Sequence, residues 1–404
     1  MMKESKPLFT VGKEKAILMA LAPDQRILEK EVLPSLDELA ALTETCGGEV
    51  VAVVTQLRPA REAAFYLGKG KIDEIKDLGA KLEADILICD DELTGSQMRR
   101  LEAMTGLRVL DRTLVILDIF AKRAQSREGK IQVELAQQEY RLSRLTQEEG
   151  ELSRLGGGIG TRGPGETKLE SDRRHIHRRI NQLKNDLVSV AEHRERLRAA
   201  RRRSGSYTVA VVGYTNAGKT TLVNNLCKAD LTAANQLFAT LDPAARKMNV
   251  TSEEIFAVTQ DYSCYFAPVL VDTVGFIRRL PHTLINAFHS TLQEATEADI
   301  LLHVVNAADK EAVRQFEVAE KLLRELGADK IPGIIVLNKV DLITSPEQQE
   351  QLAALTALAH HTTEAESSCV EISAKNGEGL SDLRRLILQR CYESRRSVLR
   401  RKRV

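Results

Sequence analysis

Val209-Ala-Val-Val212-Gly213-Tyr214-Thr215-Asn216-Ala217-Gly218-Lys219-Thr220-Thr221-Leu222 is the stretch whose reading decides the fold. It opens with an apolar run of the length a buried strand takes. It then spells GxxxxGK[ST] from Gly213 to Thr220 and passes into a helical-looking segment, Thr221 to Cys227. Strand, glycine loop and helix in that order form a phosphate-binding context. Glycine at 213 and 218 permits backbone angles and close approach that a side chain would block. The loop N–H groups and the helix N-terminus then face the phosphates. Lys219 is expected to reach the β- and γ-phosphates, and the Thr220 hydroxyl to ligate Mg²⁺.

Three further motifs follow, each after an apolar run. Val269–Val271 ends in Asp272-Thr273-Val274-Gly275, a DxxG. A carboxylate there can hold Mg²⁺ through water, and the Gly275 N–H can meet the γ-phosphate. Ile334–Leu337 leads into Asn338-Lys339-Val340-Asp341, an NKxD. The Asp341 carboxylate can accept two hydrogen bonds from guanine N1 and N2, a donor pair adenine lacks. A site built around a missing bond rejects the wrong base by roughly 10⁴–10⁵. Val370–Ile372 leads into Ser373-Ala374-Lys375, whose backbone can cap guanine O6. Each later motif is weak alone; four strand-end motifs in this order point to GTP.

The 404 residues suit two or three domains. A net charge of +1 says nothing about partners. No apolar run is long enough for a transmembrane span. The start, Met1 to Lys13, has no apolar core of a secretory signal, and the six cysteines are scattered without a CxxC. A cytoplasmic protein with reduced thiols is expected, with peripheral membrane association left open, and a monomer.

Before the glycine loop, strand and helix patterns alternate from Lys15 to about Arg123, as in a small parallel α/β domain. Its strand ends carry Lys69, Lys71, Asp90, Asp91 and Glu92. Gly68-Lys69-Gly70-Lys71 precedes a helix and could hold a phosphate, but a plain turn with a capped helix explains it better. From Glu128 to Leu155 a long helix carries Leu135, Leu142, Leu145 and Leu152 at heptad-like spacing. A second, from Glu166 to about Arg203, carries Ile176, Ile180, Leu183, Leu187 and Val190. Between them lies Gly156–Gly165. The pair reads as a long antiparallel helical hairpin with a glycine-rich tip. Arg162, Lys168, Arg173, Arg174, Arg178 and Arg179, with His175 and His177, give that end the density of positive charge that binds RNA phosphates. The competing reading is a solvated face paired with Glu166, Glu170 and Asp172.

The fold class expected is therefore α/β: a P-loop GTPase domain preceded by a small parallel α/β domain and a long helical hairpin. Expected limits are 1–127, 128–203 and 204–393, with a basic tail, 394–404. The polar loop Thr232–Lys247 is the expected nucleotide-sensing switch, and Thr240 its candidate Mg²⁺ hydroxyl. Asn216 lies where an asparagine can help to hold K⁺ beside the phosphates. Phe276 and Ile277 follow DxxG, and neither side chain can orient water. Turnover is therefore expected to be slow until a partner assists.

Nearly the whole chain resembles the HflX GTPases, relatives of the Obg group. The likeness rests on Tyr66–Lys71 (YLGKGK), Asp90–Leu93 (DDEL), Leu110–Ala124 (LDRTLVILDIFAKRA) and Glu128–Gln137 (EGKIQVELAQ). Its most specific part is Gly156–Arg174 (GGGIGTRGPGETKLESDRR), joined by Phe238–Pro243 (FATLDP) and Asp272–Pro281 (DTVGFIRRLP). The resemblance implies a cytoplasmic GTPase that binds the large ribosomal subunit and its rRNA, some members of the family splitting stalled ribosomes. It also implies nucleotide contact by Phe238, Ala239, Thr240, Leu241 and Asp242, and Mg²⁺ ligation by Thr220 and Thr240. Lys219, Thr240 and Gly275 are the candidate catalytic groups. Two readings stay open. One is an enzyme whose hydrolysis drives release from the ribosome. The other is an assembly or dormancy switch whose GTP-bound form simply docks.

Overall fold

A computed structural model describes residues 13–155, 164–203, 206–228, 237–238, 242–262, 264–279, 294–361 and 368–401. Backbone alone is described for 146–155, 164–169, 193, 197–198, 200–203, 361 and 395–401. Thr240, Ala239, Leu241, Arg162 and most of the expected helix Leu284–Glu297 therefore lie outside the description, as do the Lys168 side chain and the tip 156–163. The chain divides into two compact units, Met1–Leu187 and Val188–Val404.

The first unit is built on a parallel sheet of order β2-β1-β3-β4, comprising β1 (Lys15–Ala22), β2 (Glu49–Leu57), β3 (Ile86–Cys89) and β4 (Arg108–Asp111). β1 reads KAILMALA, and Ala16 to Ala20 are fully or almost fully buried. A continuous apolar run is what a parallel strand covered on both faces needs. The apolar pattern after β1 reads as a helix over Ser35–Cys46, and the structure begins the helical segment earlier. α1 (Gln25–Ile27) passes through a π turn, Leu28–Val32, into α2 (Leu33–Cys46). Gly47, at φ +96°, closes α2 in the left-handed region. α3 (Lys69–Leu82) and α4 (Gly95–Thr105) follow, α4 opening with a capping box between Thr94 and Gln97. α5 (Arg112–Arg123) springs directly from β4, with Asp111 as its cap.

The carboxyl ends of this sheet are closed by protein. Asp90 bonds to the buried Arg112 at 2.8 Å, and Arg112 also pairs with Glu38. Asp91 takes the Tyr66 hydroxyl at 2.6 Å and pairs with Arg61 at 3.1 Å. Asp111 accepts from Tyr140 at 2.9 Å and from Arg144 at 2.6 Å. Gly68 caps α3 and donates its N–H to Gln56, while Lys71 pairs with Glu74 within the helix. The turn-and-cap reading of Gly68–Lys71 accounts for these contacts.

α6 (Arg127–Leu155) and α7 (Pro164–Arg203) are the two long helices, with Pro164 at the first helical position. Arg179 grips Glu134 through two nitrogens, at 2.6 and 2.8 Å, and Lys184 pairs with Glu139 at 3.1 Å. Residues 45 positions apart can touch across two such helices only if the chain doubles back. Arg179, counted above among RNA candidates, is thus engaged in joining the arms.

The second unit carries a six-stranded sheet, order β10-β9-β8-β5-β7-β6. Its strands are β5 (Thr208–Gly213), β6 (Ala244–Lys247), β7 (Val269–Asp272), β8 (Ile300–Asn306), β9 (Gly333–Asn338) and β10 (Ser368–Ile372). All pairings are parallel except β6 with β7. The helices are α8 (Lys219–Cys227), α9 (Ser252–Thr259), α10 (Ala312–Glu325), α11 (Pro346–His361) and α12 (Leu380–Arg401). α12 runs on to Arg401, into the basic segment read as a tail. From β5 the chain builds first toward β7 and β6, then returns to lay β8, β9 and β10 on the other side. That reversal at β5/β8 is where an open α/β sheet leaves a crevice at its carboxyl edge. No described helix is long and apolar enough to cross a membrane.

Candidate functional site

The loop from β5 to α8 lies at that reversal. Gly213 has φ +143°, and a Cβ there would run into the Val304 carbonyl of β8. Gly218, at φ +93°, leaves no room for a Cβ beside the Asn338 amide. Asn216 is exposed and sits at φ 59°, a conformation asparagine tolerates better than most residues. Lys219 opens α8 and is buried; its Nζ donates to the carbonyls of Tyr214 at 2.7 Å and Gly213 at 3.2 Å. Burial pushes its pKa down to about 8, against the pull of the Asp272 charge. Thr220 donates its hydroxyl to Asp272 at 2.8 Å. A hydroxyl and a carboxylate, both hard oxygen donors, thus converge where β7 ends and α8 begins.

The segment after β7 is zipped onto the glycine loop. Thr273 donates its N–H and hydroxyl to the Val211 carbonyl, at 3.3 and 2.8 Å. Phe276 donates to Gly213 O at 3.0 Å and accepts from Thr215 N at 2.8 Å. Gly275 lies against the loop; a Cβ there would stand 2.8 Å from Thr215 Cα and 2.9 Å from Lys219 Nζ. Phe276 and Ile277 are both 2% exposed, turned into the protein. Arg278 is buried and pairs with Glu311 at 2.5 Å. Phe238 is buried at φ 56°, and Asp242 half-buried.

The last two motifs converge through one residue. Asn338, 2% exposed at the end of β9, donates to Ala217 O at 2.8 Å and accepts from Ala374 N at 2.9 Å. It therefore ties the glycine loop to Ser373-Ala374-Lys375. Asn225 of α8 adds a bond to Ala374 O. Lys339 stands at φ 68°, its pKa lowered by burial, and Val340 and Asp341 form a single 3-10 turn behind it. The structure thus gathers Gly213–Thr221, Asp272–Gly275, Asn338–Asp341 and Ser373–Lys375 on one edge. Asn225, the Phe276 backbone and the Arg278–Glu311 pair were not anticipated, and no spacing in the sequence marks them.

Comparison with known proteins fits this geometry. Family models described as GTP-binding GTPase N-terminal, GTP-binding GTPase middle region and 50S ribosome-binding GTPase match residues 34–121, 123–201 and 208–339. A GTPase HflX of Caldanaerobacter subterraneus subsp. tengcongensis is 49% identical over 82% of this chain and 73% of its own. The chain belongs to the HflX family of GTPases. The HflX of Lacrimispora saccharolytica is 48% identical over 93% of this chain and 82% of its own. That of Escherichia coli is 40% identical over 89% and 79%. A solved GTP-binding protein, SsGBP with GDP, aligns over 94% of this chain and 99% of its own at 25% identity. Its TM-score of 0.49 is too loose to bear on the site. As an HflX-family member the chain binds and hydrolyses GTP.

Proposed function

We propose that this GTPase acts as a cytoplasmic monomer on the large ribosomal subunit, docking through its helical hairpin and using GTP hydrolysis to leave or to part stalled subunits. The observation that carries the reading is the basic face of α7. Arg174, Arg178, His175 and His177 are exposed there, with Arg173 half-buried beside them. Arg174 pairs with Glu170, both side chains being open to solvent, an exchange that phosphate can win. The description of the model matched by 208–339 also names the ribosome.

In this reading Lys219 holds the β- and γ-phosphates, and Gly275 offers its N–H to the γ-phosphate. Thr220 and Thr240 would hold Mg²⁺, with Asp272 acting through water. The convergence of Thr220 and Asp272 on one spot fits a hard cation. Bound Mg²⁺ would supply positive charge against the phosphates. Asp341 reads guanine, and the Ser373–Lys375 backbone caps its O6. K⁺ near Asn216 is part of the same proposal. Phe276 is buried and backbone-locked, so it brings no polar group to the attacking water. A partner supplying such a part is worth on the order of 10³–10⁵ in rate.

The test is single-turnover hydrolysis by saturating protein, alone and with purified large subunits. A strong acceleration is expected; equal rates would remove the ribosome from the reading. Replacing Arg173, Arg174 and Arg178 by alanine should weaken subunit binding and lower its logarithmic salt slope by about 1 per lost phosphate contact. GTP affinity should not move.

A further inference from the structure

Between β6 and β7 the chain spends 21 residues, Met248 to Pro268, on a connection between antiparallel neighbours. A hairpin of this kind needs about two to five. The excess is well built. α9 opens with a capping box between Thr251 and Glu254, and Glu254 pairs with Arg384 of α12 at 2.8 Å. Ile255, Phe266, Met248 and Val250 are buried in the core of the unit.

This insert presents an unusual surface. The chain has 16 aromatic residues, 7 Tyr and 9 Phe, and four of them fall between Phe256 and Phe266. Phe266 points inward, but Tyr262 is 74% and Tyr265 57% exposed. Tyr262 is not loose: its ring stacks on Phe256 at 4.0 Å between centroids and 13° between planes. No lysine, arginine or histidine occurs from Met248 to Ile277, whereas Glu253 and Asp261 are exposed beside the rings.

We infer that this insert is a docking surface for an arginine-rich segment of a partner protein. Guanidinium groups stack on tyrosine faces and are drawn by the flanking carboxylates. Unpaired RNA would also stack on aromatics. Here its phosphates would meet Glu253 and Asp261 with no basic residue of the insert to offset them. The insert joins two strands that border the expected switch loop and Asp272, so an occupant would sit on the element linking both nucleotide-sensing segments. The inference does not depend on the hairpin binding rRNA.

The experiment uses the full chain and a fluorescein-labelled decapeptide of alternating arginine and glycine, read by anisotropy at low and moderate salt. A labelled decauridylate is the RNA arm. Tyr262→Ser/Tyr265→Ser should weaken peptide binding by at least about fivefold. Glu253→Lys/Asp261→Lys should weaken it to a similar degree, and GTP affinity should be unchanged in both. Peptide affinity equal in the parent and both variants would overturn the inference. So would decauridylate binding the parent more tightly than the peptide and being lost in the tyrosine variant, because the surface would then be an RNA platform.

Discussion

A parallel and a mostly parallel sheet in this chain both carry charged residues at the carboxyl ends of their strands, and only one of them is proposed as a nucleotide site. In the N-terminal sheet every strand-end carboxylate is answered from within: Asp90 by Arg112, Asp91 by Tyr66 and Arg61, Asp111 by Tyr140 and Arg144. In the GTPase sheet the equivalent edge holds a glycine loop and a buried lysine whose Nζ donates to main-chain carbonyls, the Asp272 charge acting on it without a direct bond. The lesson is that polar strand ends do not by themselves define a site. What matters is whether their charge is already neutralised by the protein or still waits for a ligand of opposite sign.

The sharpest way to break this contrast is a pair of glycine substitutions. Gly213→Ala drives a methyl into the Val304 carbonyl at a strained φ, so GTP binding should be lost, by more than about 10²-fold. Gly68→Ala meets only the ends of two long side chains, Gln56 at 3.2 Å and Arg58 at 3.5 Å, and should cost no more than about 1 kcal/mol of stability with GTP affinity intact. Equal losses in both would make the two loops alike. On the base side, Asp341→Asn should lower GTP affinity by about 10²–10⁴, two charge-assisted bonds' worth, and favour xanthosine triphosphate. Retained GTP preference would remove Asp341 from base recognition.

Asp90→Ala should do the opposite of these. It leaves part of the charge of Arg112, itself 2% exposed, uncompensated, and should destabilise the N-terminal unit by about 3–5 kcal/mol in denaturant melts. The guanine nucleotide affinity of the folded protein should stay as it was. A stable variant with altered nucleotide binding would mean that this edge is a second ligand site after all.

Lys219 gives a smaller, pH-dependent effect. Its pKa falls from 10.5 to about 8, so the nucleotide-free protein releases that proton well below the unfolded chain. Between those values the unfolded state binds more protons, and this residue's contribution to stability rises with pH. In the proposed site GTP demands the charged form. Binding above pH 8 should therefore take up a proton, and affinity should fall by up to about tenfold per pH unit. Calorimetry in buffers of different ionisation enthalpy measures it; no proton uptake would mean that the lysine is charged throughout. The smallest expected effect is a faster turnover in KCl than in NaCl at matched ionic strength. Identical rates would leave Asn216 to its left-handed loop geometry.

The strands and the four motif segments were legible because parallel strands buried on both faces read as apolar runs, and because glycine and lysine have fixed tasks at a phosphate loop. β6 was not: Ala244-Ala-Arg-Lys247 has no strand pattern and becomes a strand only by pairing with β7. α9 was missed although Thr251 and Glu254 spell a capping box, the short apolar pattern between them and Tyr262 being too brief to read alone. α5 was missed because it begins without a turn after β4, Asp111 serving as strand end and helix cap at once. Arg179 looked like part of an RNA-facing run, and only the doubling-back of α7 on α6 brings it to Glu134. Within the site, Asn225 and Ala374 stand 149 residues apart, a separation that spacing cannot bridge.

Asn338 has a further consequence for anyone who would redesign this protein. One amide group is welded to the glycine loop by its nitrogen and to the Ser373–Lys375 turn by its oxygen. In the proposed site, phosphate grip and base choice are therefore not separate modules. An orthogonal nucleotide specificity must be engineered at Asp341 and the outer turn, with position 338 left alone. A substitution at 338 would loosen both ends at once, and a selection for new bases that drifts there would return weak binders of everything.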